Sequence, residues 1–428
     1  MFKSRFFVVV LLVLTGSTQA QSVYCPPETQ PTAVSSAEFW TWNNATDDWF
    51  GARSALETHG ISLASTLLLD WSEPFAGGAT PHAGAFRYLW TTGLTLDTAK
   101  LFALPGGTFY AAFQMHRGTH ESAQNVGDLQ AFDNMDADGR TQISEVWYQQ
   151  TFLDDKLRIK IGKMDANCEF LCNTYGAGFI NSSFGKSPTS LGIPSYPDPA
   201  MGVVVFVKPT DRLYVGGGFF DGSGNTGIRT GSYGPAKFFT QGEYFVIGEV
   251  GLTWALGEHQ LAGRGAIGGW GHTGNFTRFD GSPVSGTEGF YLCVEQLLWR
   301  VDPQAKDDQR GVGLLLQYGY ADAELSSITH HFGAAVAATG LIPARDRDVM
   351  GVGVTWAGLT DDANAGFTTS SETAVEVFYK ISVTPWLFVQ PDLQYIFNPG
   401  GNSAGSGVSG VSGVRDAVVG TLRVGITF

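Results

Sequence analysis

The sequence predicts an all-β protein, a transmembrane antiparallel β-barrel of about 16 strands with long extracellular loops, short periplasmic turns and a short N-terminal helix. Three observations carry the prediction. The chain opens with an export signal. Charged residues make up only 15% of it, against about 25% in typical soluble domains, while aromatics reach 13% and glycine 56 residues. From residue 61 onward, apolar and polar residues alternate with period two. After residue 20 no apolar run reaches the roughly 18 residues that a helical span needs, so an exported membrane protein of this kind has to cross with strands.

Residues 1–20 read as a cleaved signal peptide: Lys3 and Arg5 form the basic region, Phe6 to Leu14 the apolar core, and Thr18-Gln19-Ala20 the cleavage site. Bulky Tyr24 before Cys25 argues against a lipoprotein. The mature 408 residues keep 24 basic and 40 acidic groups, a net charge of −16. That balance argues against nucleic acid as a partner. Residues 21–60 form a periplasmic N-terminal segment. Within it, acidic Asp47 and Asp48 follow Thr46, and Gly60 closes the run, which predicts a short helix over 48–59.

The barrel domain is 61–428. In ISLASTLLLDW, Ile61, Leu63, Leu67, Leu69 and Trp71 share one face, opposite Ser62, Thr66 and Asp70. FRYLWTTGLTL and TFYAAFQMH repeat the pattern, and the last strand sets Val418, Leu422, Val424, Ile426 and Phe428 against Thr421, Arg423 and Thr427. Sixteen such segments begin near 61, 85, 107, 143, 157, 200, 213, 244, 261, 288, 311, 332, 349, 372, 387 and 414. Their connections alternate: PTDR, GEHQ, IPARDRD and TPW are compact, whereas SEPFAGGATPHAG, 118–142, 165–199, GSGNTGIRTGSYGPAKFFTQ and NPGGNSAGSGVSG are long. About 16–18 strands enclose an aqueous channel rather than a packed interior. A secreted β-sandwich would also alternate, but aromatics at strand ends (Trp71, Trp90, Trp356, Trp386, Phe428) and the long–short rhythm favour the barrel.

The 165–199 connection stands out. Structureless loops beyond about 12–15 residues are uncommon and usually functional, and this one is rich in aromatic and apolar residues. It follows the fifth strand. Cys168 and Cys172 lie in it, four residues apart; a local bridge or a metal pair are the two readings, and the absence of a nearby His or second Cys pair weakens the metal. No cofactor is expected.

Six runs then carry a family resemblance: LPGGTFY (104–110), LRIKIGKMDANCEF (157–170), FINSSFGKSPT (179–189), YPDPAMGV (196–203), GFFDG (218–222) and PDLQYIFNPGG (391–401). In this order they resemble the OprB-type carbohydrate-selective porins. The resemblance implies a sixteen-stranded outer-membrane barrel for passive diffusion of small sugars, narrowed by an inward-folded loop between strands five and six. The expected partners are thus small carbohydrate solutes and outer-membrane lipid. The sequence carries no marker of oligomeric state, and the Cys168/Cys172 pair departs from the family pattern.

A sugar has hydroxyls to match and apolar ring faces, so its pore needs donors, acceptors and an aromatic surface. Parity selects the inward set. In ISEVWYQQTF, Val146, Tyr148 and Phe152 face lipid, which turns Glu145, Trp147 and Gln149 inward. In LRIKIGK, Arg158 and Lys160 point inward; Gln114 and His116 join from the strand before. The loop offers Asp165, Asn167 and Glu169 as acceptors and Phe184 or Tyr196 as apolar surface, though packing of the loop to the wall is the stronger reading for Phe184 and the loop prolines. Opposite charges on the two sides would set up a transverse field. On the far wall, Glu376, Phe378 and Lys380 share one parity, as do Gln390, Asp392 and Gln394.

Two motifs mislead. NMDADGRTQISE (134–145) approaches a calcium loop but starts with Asn and lacks flanking helices. GGGFFDGSGNTG lacks the Lys-Ser/Thr ending of a phosphate loop. Two other functions fit parts of the pattern: a pore for small organic acids or other polar nutrients, and a secreted glycoside-cleaving enzyme with paired carboxylates.

Overall fold

The computed structural model describes residues 39–118, 122–226, 242–305, 308–402 and 413–428. The signal peptide and Cys25 lie outside them. Sixteen strands follow one another: β1 (Ile61–Gly78), β2 (Ala85–Asp97), β3 (Gly107–Arg117), β4 (Arg140–Phe152), β5 (Leu157–Met164), β6 (Ala200–Val207), β7 (Leu213–Asp221), β8 (Tyr244–Leu256), β9 (Leu261–Thr277), β10 (Pro283–Arg300), β11 (Gly311–Ala321), β12 (Ile328–Thr339), β13 (Val349–Leu359), β14 (Ser371–Ser382), β15 (Leu387–Phe397) and β16 (Arg415–Thr427). Each starts within five residues of its expected position. Every strand pairs antiparallel with its sequence neighbours, and β1 pairs with β16, so the sheet closes without a free edge.

Burial is inverted relative to a soluble protein. Large apolar side chains lie bare on the outside, among them Trp71, Phe86, Ile161, Val250, Ile267 and Leu422, while Asp70, Arg87, Glu249, Gln317, His331 and Arg423 are buried inside. A sandwich would bury the first set. A barrel surrounded by lipid exposes it.

The predicted helix is present as α1 (Ala52–Thr58), one 3-10 turn later than its acidic residues suggest. Asp48 reaches across that turn and accepts from Ser54 N and Oγ, both at 2.8 Å. The segment docks on the barrel base, where Trp386 Nε1 donates to the Phe39 carbonyl at 3.2 Å.

Strict alternation breaks in β4. The register slips between Ala112 and Phe113, so that Glu145 opposes Ala112 while Ile143 opposes Phe113, and Ser144 is the extra residue. Parity read from Val146 therefore holds toward the periplasm and reverses above the bulge, where Arg140, Gln142 and Ser144 are the buried residues. Beside it, Gly162 of β5 has φ +136°, and a Cβ there would lie 2.2 Å from the Val146 carbonyl. Only glycine fits this close approach.

Candidate constriction site

The 165–199 segment, which joins β5 to β6, folds into the bore. Asp165 closes its base: one carboxylate oxygen accepts from Asn167 N at 2.8 Å, the other from Ser195 Oγ at 3.1 Å and Tyr196 N at 3.0 Å. The first and last turns of the loop are thereby tied together. Asn167 Nδ2 donates to the Gly185 carbonyl at 3.0 Å, holding a second point inside the loop. The Cys172 thiol donates to the Cys168 carbonyl.

One side of the loop is apolar and packed. Phe170 and Leu171 sit against Val204, Phe206, Phe220, Phe245 and Trp270 of β6 to β9. Farther on, Phe179 and Phe184 pack on Leu315, Ala335 and Phe378. Gly353 of β13 makes room: a Cβ there would meet the Phe184 ring at 2.6 Å. Phe184 is thus wall packing.

The other side meets β4 and β5 through charge. Glu169 Oε1 receives Lys160 Nζ at 2.6 Å and its Oε2 receives Arg158 Nη1 at 2.7 Å. Arg158 also donates to Gln149 Oε1 at 3.1 Å. The Lys160 ammonium sits 3.6 Å above the centre of the Trp147 ring, and Trp147 Nε1 donates to Glu145 at 3.1 Å. Burial pushes the Glu169 carboxyl up, but Lys160 and Arg158 outweigh it and hold the group below its ordinary value. Six of the residues selected by parity and loop position, Glu145, Trp147, Gln149, Arg158, Lys160 and Glu169, thus form one connected cluster.

Its geometry differs from the expected transverse field. The opposite charges are in contact and do not face each other across a gap. Trp147 is 4% exposed, covered by Lys160 and by Tyr110, whose ring stacks on it at 5.0 Å. Tyr110 is itself half-buried. Tyr110 shares the parity of Gln114 and His116 on β3, which was the available signal, but it was not among the residues selected from the sequence. Gln114 lies on the same wall with Oε1 buried and without a hydrogen-bond partner among the described residues. His116 lies apart from the cluster, fully buried at the end of β3 with Nδ1 3.4 Å from the Asp138 carbonyl.

A second inward segment was not anticipated. Residues 122–139, part of the 118–142 segment expected as a long external loop, also enter the bore. Asp133 pairs with buried Arg87 at 2.6 Å, and Arg423 holds both Asp70, at 2.6 Å, and Asn134, at 2.7 Å. Asp136 and Asp138 of the calcium-like run lie near Arg87 and Arg140, 3.4 and 3.5 Å away. The far-wall residues grip the two loops: Gln390 Nε2 donates to the Gly178 carbonyl at 2.8 Å, and Gln394 Nε2 to the Phe132 carbonyl at 2.7 Å.

Comparison with known proteins agrees with this architecture. The profile of the carbohydrate-selective porin, OprB family, matches residues 83–428. Porin B of Pseudomonas aeruginosa is 22% identical over 427 residues, covering 89% of this chain and 90% of the relative. The high-pH structure of Pseudomonas putida OprB superposes with a TM-score of 0.78 at 20% identity, over 92% of this chain and all of that one. Its low-pH structure gives 0.59 at 16% identity, over 91% and 99%. These structures share the fold, and the profile spans most of the chain. A closed sixteen-stranded barrel with an inward loop after its fifth strand, matched by that profile along most of its length, belongs to the OprB family of carbohydrate-selective porins and acts in the bacterial outer membrane as a channel for sugars.

Proposed function

We propose that solutes pass between the β5–β6 loop and the wall formed by β1 to β5, and that the Glu169–Lys160–Trp147 cluster fixes that side of the passage. The observation that carries this reading is an asymmetry of burial. Inward residues of β6 to β9, such as Val204, Phe206, Phe245 and Ile247, are buried under the loop. Inward Thr91, Tyr110, Gln114 and Gln149 of β2 to β4 are only half-buried. That wall offers a hydroxyl, two amides and an aromatic face, the groups a sugar uses. Asp165 and Asn167 shape the loop edge opposite, and His116 supports the upper rim.

In this reading sugars bind weakly and leave unchanged. Within the cluster, Glu169 is held by Arg158 and Lys160 and Glu145 accepts from Trp147 Nε1. Lipid covers the exposed apolar belt. The test is single-channel conductance in planar bilayers with and without added sugars. Block by small sugars is expected. Conductance indifferent to every sugar but reduced by organic acids would overturn the reading in favour of an acid pore.

A further inference from the structure

Apolar packing is not all that suspends the two inward loops. Glu372 and Glu376 lie four residues apart on β14, so both project to the lumen. Glu376 accepts from Ile180 N at 2.6 Å with one oxygen and from Asn181 N at 3.0 Å with the other. Glu372 accepts from Leu129 N at 2.9 Å, Gln130 N at 3.0 Å and Gly400 N at 2.7 Å. The carboxyl oxygens of each therefore satisfy consecutive backbone N–H groups of a loop that crosses the bore. Irregular backbone buried away from water needs such partners. Between these anchor points the loops hold each other: Asn134 N donates to the Ile180 carbonyl at 2.8 Å, Ser182 N to the Ala131 carbonyl at 3.0 Å, and Tyr196 Oη to the Met135 carbonyl at 2.9 Å.

We infer that Glu372 and Glu376 are positioning residues for permeation: side by side on one strand, they tie the 122–139 and 165–199 loops into a single fixed diaphragm. The near edge of that diaphragm is held by Asp165 and Glu169, its far edge by β14. Glu295 of β10 adds a third point, accepting from Thr174 N at 2.5 Å and Tyr175 N at 3.0 Å. The width of the passage is then set jointly by two loops and a wall remote from the solute path. The inference rests on the reading that solutes pass beside the β5–β6 loop.

The experiment is single-channel recording of the full chain in planar bilayers, with Glu376→Ala, Glu372→Ala and their combination. Heat-modifiable gel migration reports whether each barrel has folded. The expected result is a rise in ion conductance and open-channel noise with loss of sugar block, largest in the double variant and intermediate for Glu376→Gln, which keeps one acceptor oxygen. A loop-side variant leaves the wall untouched. Asn181 has φ −60°, which proline accepts, so Asn181→Pro removes the N–H that Glu376 receives. Asn181→Ala removes the side chain and keeps that N–H. Conductance should rise more for proline than for alanine. A folded double variant with wild-type conductance and noise, or equal effects of the two Asn181 substitutions, overturns the inference. If the glutamate variants do not fold, the Asn181 pair decides alone. If wild-type channels show no sugar block, the functional reading fails, while the ion-conductance comparison still tests the tether.

Discussion

Replacing Glu169 by glutamine should loosen the constriction, and the cost can be worked from the contacts. Its carboxylate lies 2.6 Å from Lys160 Nζ and 2.7 Å from Arg158 Nη1. At an effective dielectric of about 20, each contact is worth about 6 kcal/mol before desolvation. Desolvation cancels much of that, and removing one partner of a buried pair costs about 3–5 kcal/mol because the remaining charge is stranded. Arg158 is 17% exposed and recovers some hydration, whereas Lys160, at 5%, does not. The loss therefore falls mainly on Lys160. A double-mutant cycle with Glu169→Gln and Lys160→Met, read by urea unfolding of the barrel in lipid vesicles, should give a coupling above about 2 kcal/mol, beyond the 0.2–1 kcal/mol of an exposed pair. Coupling below about 0.5 kcal/mol would refute the idea that this contact holds the loop. Acid supplies an independent check. The folded-state value of Glu169 lies below its ordinary one, so its contribution is complete above about pH 4.3 and disappears as the pH falls through the lowered value. The glutamine variant should lack that step.

Three further outcomes follow from the same geometry. Trp147→Ala removes a ring that is 4% exposed beneath Lys160; it should cost about 3–5 kcal/mol and weaken sugar block while ion conductance stays level or rises. Val146→Arg puts a charge on the lipid face, where Val146 is 37% exposed; assembly into vesicles should weaken by about 2–4 kcal/mol if the site is near the midplane, and a defect in sugar block with normal assembly would contradict the outward assignment. Gly353→Val forces a Cβ to 2.6 Å from the Phe184 ring; overpacking should cost about 1–3 kcal/mol, and the displaced loop should shift single-channel conductance, which an unchanged current would rule out.

Much of the fold was legible because a barrel strand has to satisfy two solvents at once. Lipid outside and water or polar loops inside impose period two on every crossing, so β1 to β16 could be read one at a time. The same constraint placed Glu145, Trp147, Gln149, Arg158 and Lys160 on the inner face. It failed at Ser144, where one extra residue reverses the parity above it. A bulge leaves no trace in composition. Local sequence was equally silent about the 122–139 segment: two of its aspartates read only as a near-match to a calcium loop, and only the closed barrel puts Arg87 and Arg423 within reach of Asp133.

By itself, then, the sequence determined the barrel, its strand number, its orientation and the place of the loop after β5. Each of these depends on patterns between neighbours in the chain. What the tertiary structure decided were the meetings of residues far apart in sequence. Glu376 accepts from the backbone of Ile180, 196 residues away, and Glu372 from that of Leu129, 243 away. Lys160 and Glu169 are close in sequence, yet their pairing needs the loop to turn inward and not outward. That choice is made by Phe170, Phe179 and Phe184 burying themselves against the wall. Alternation tells which way a side chain points, but closure of the barrel sets what it finds there.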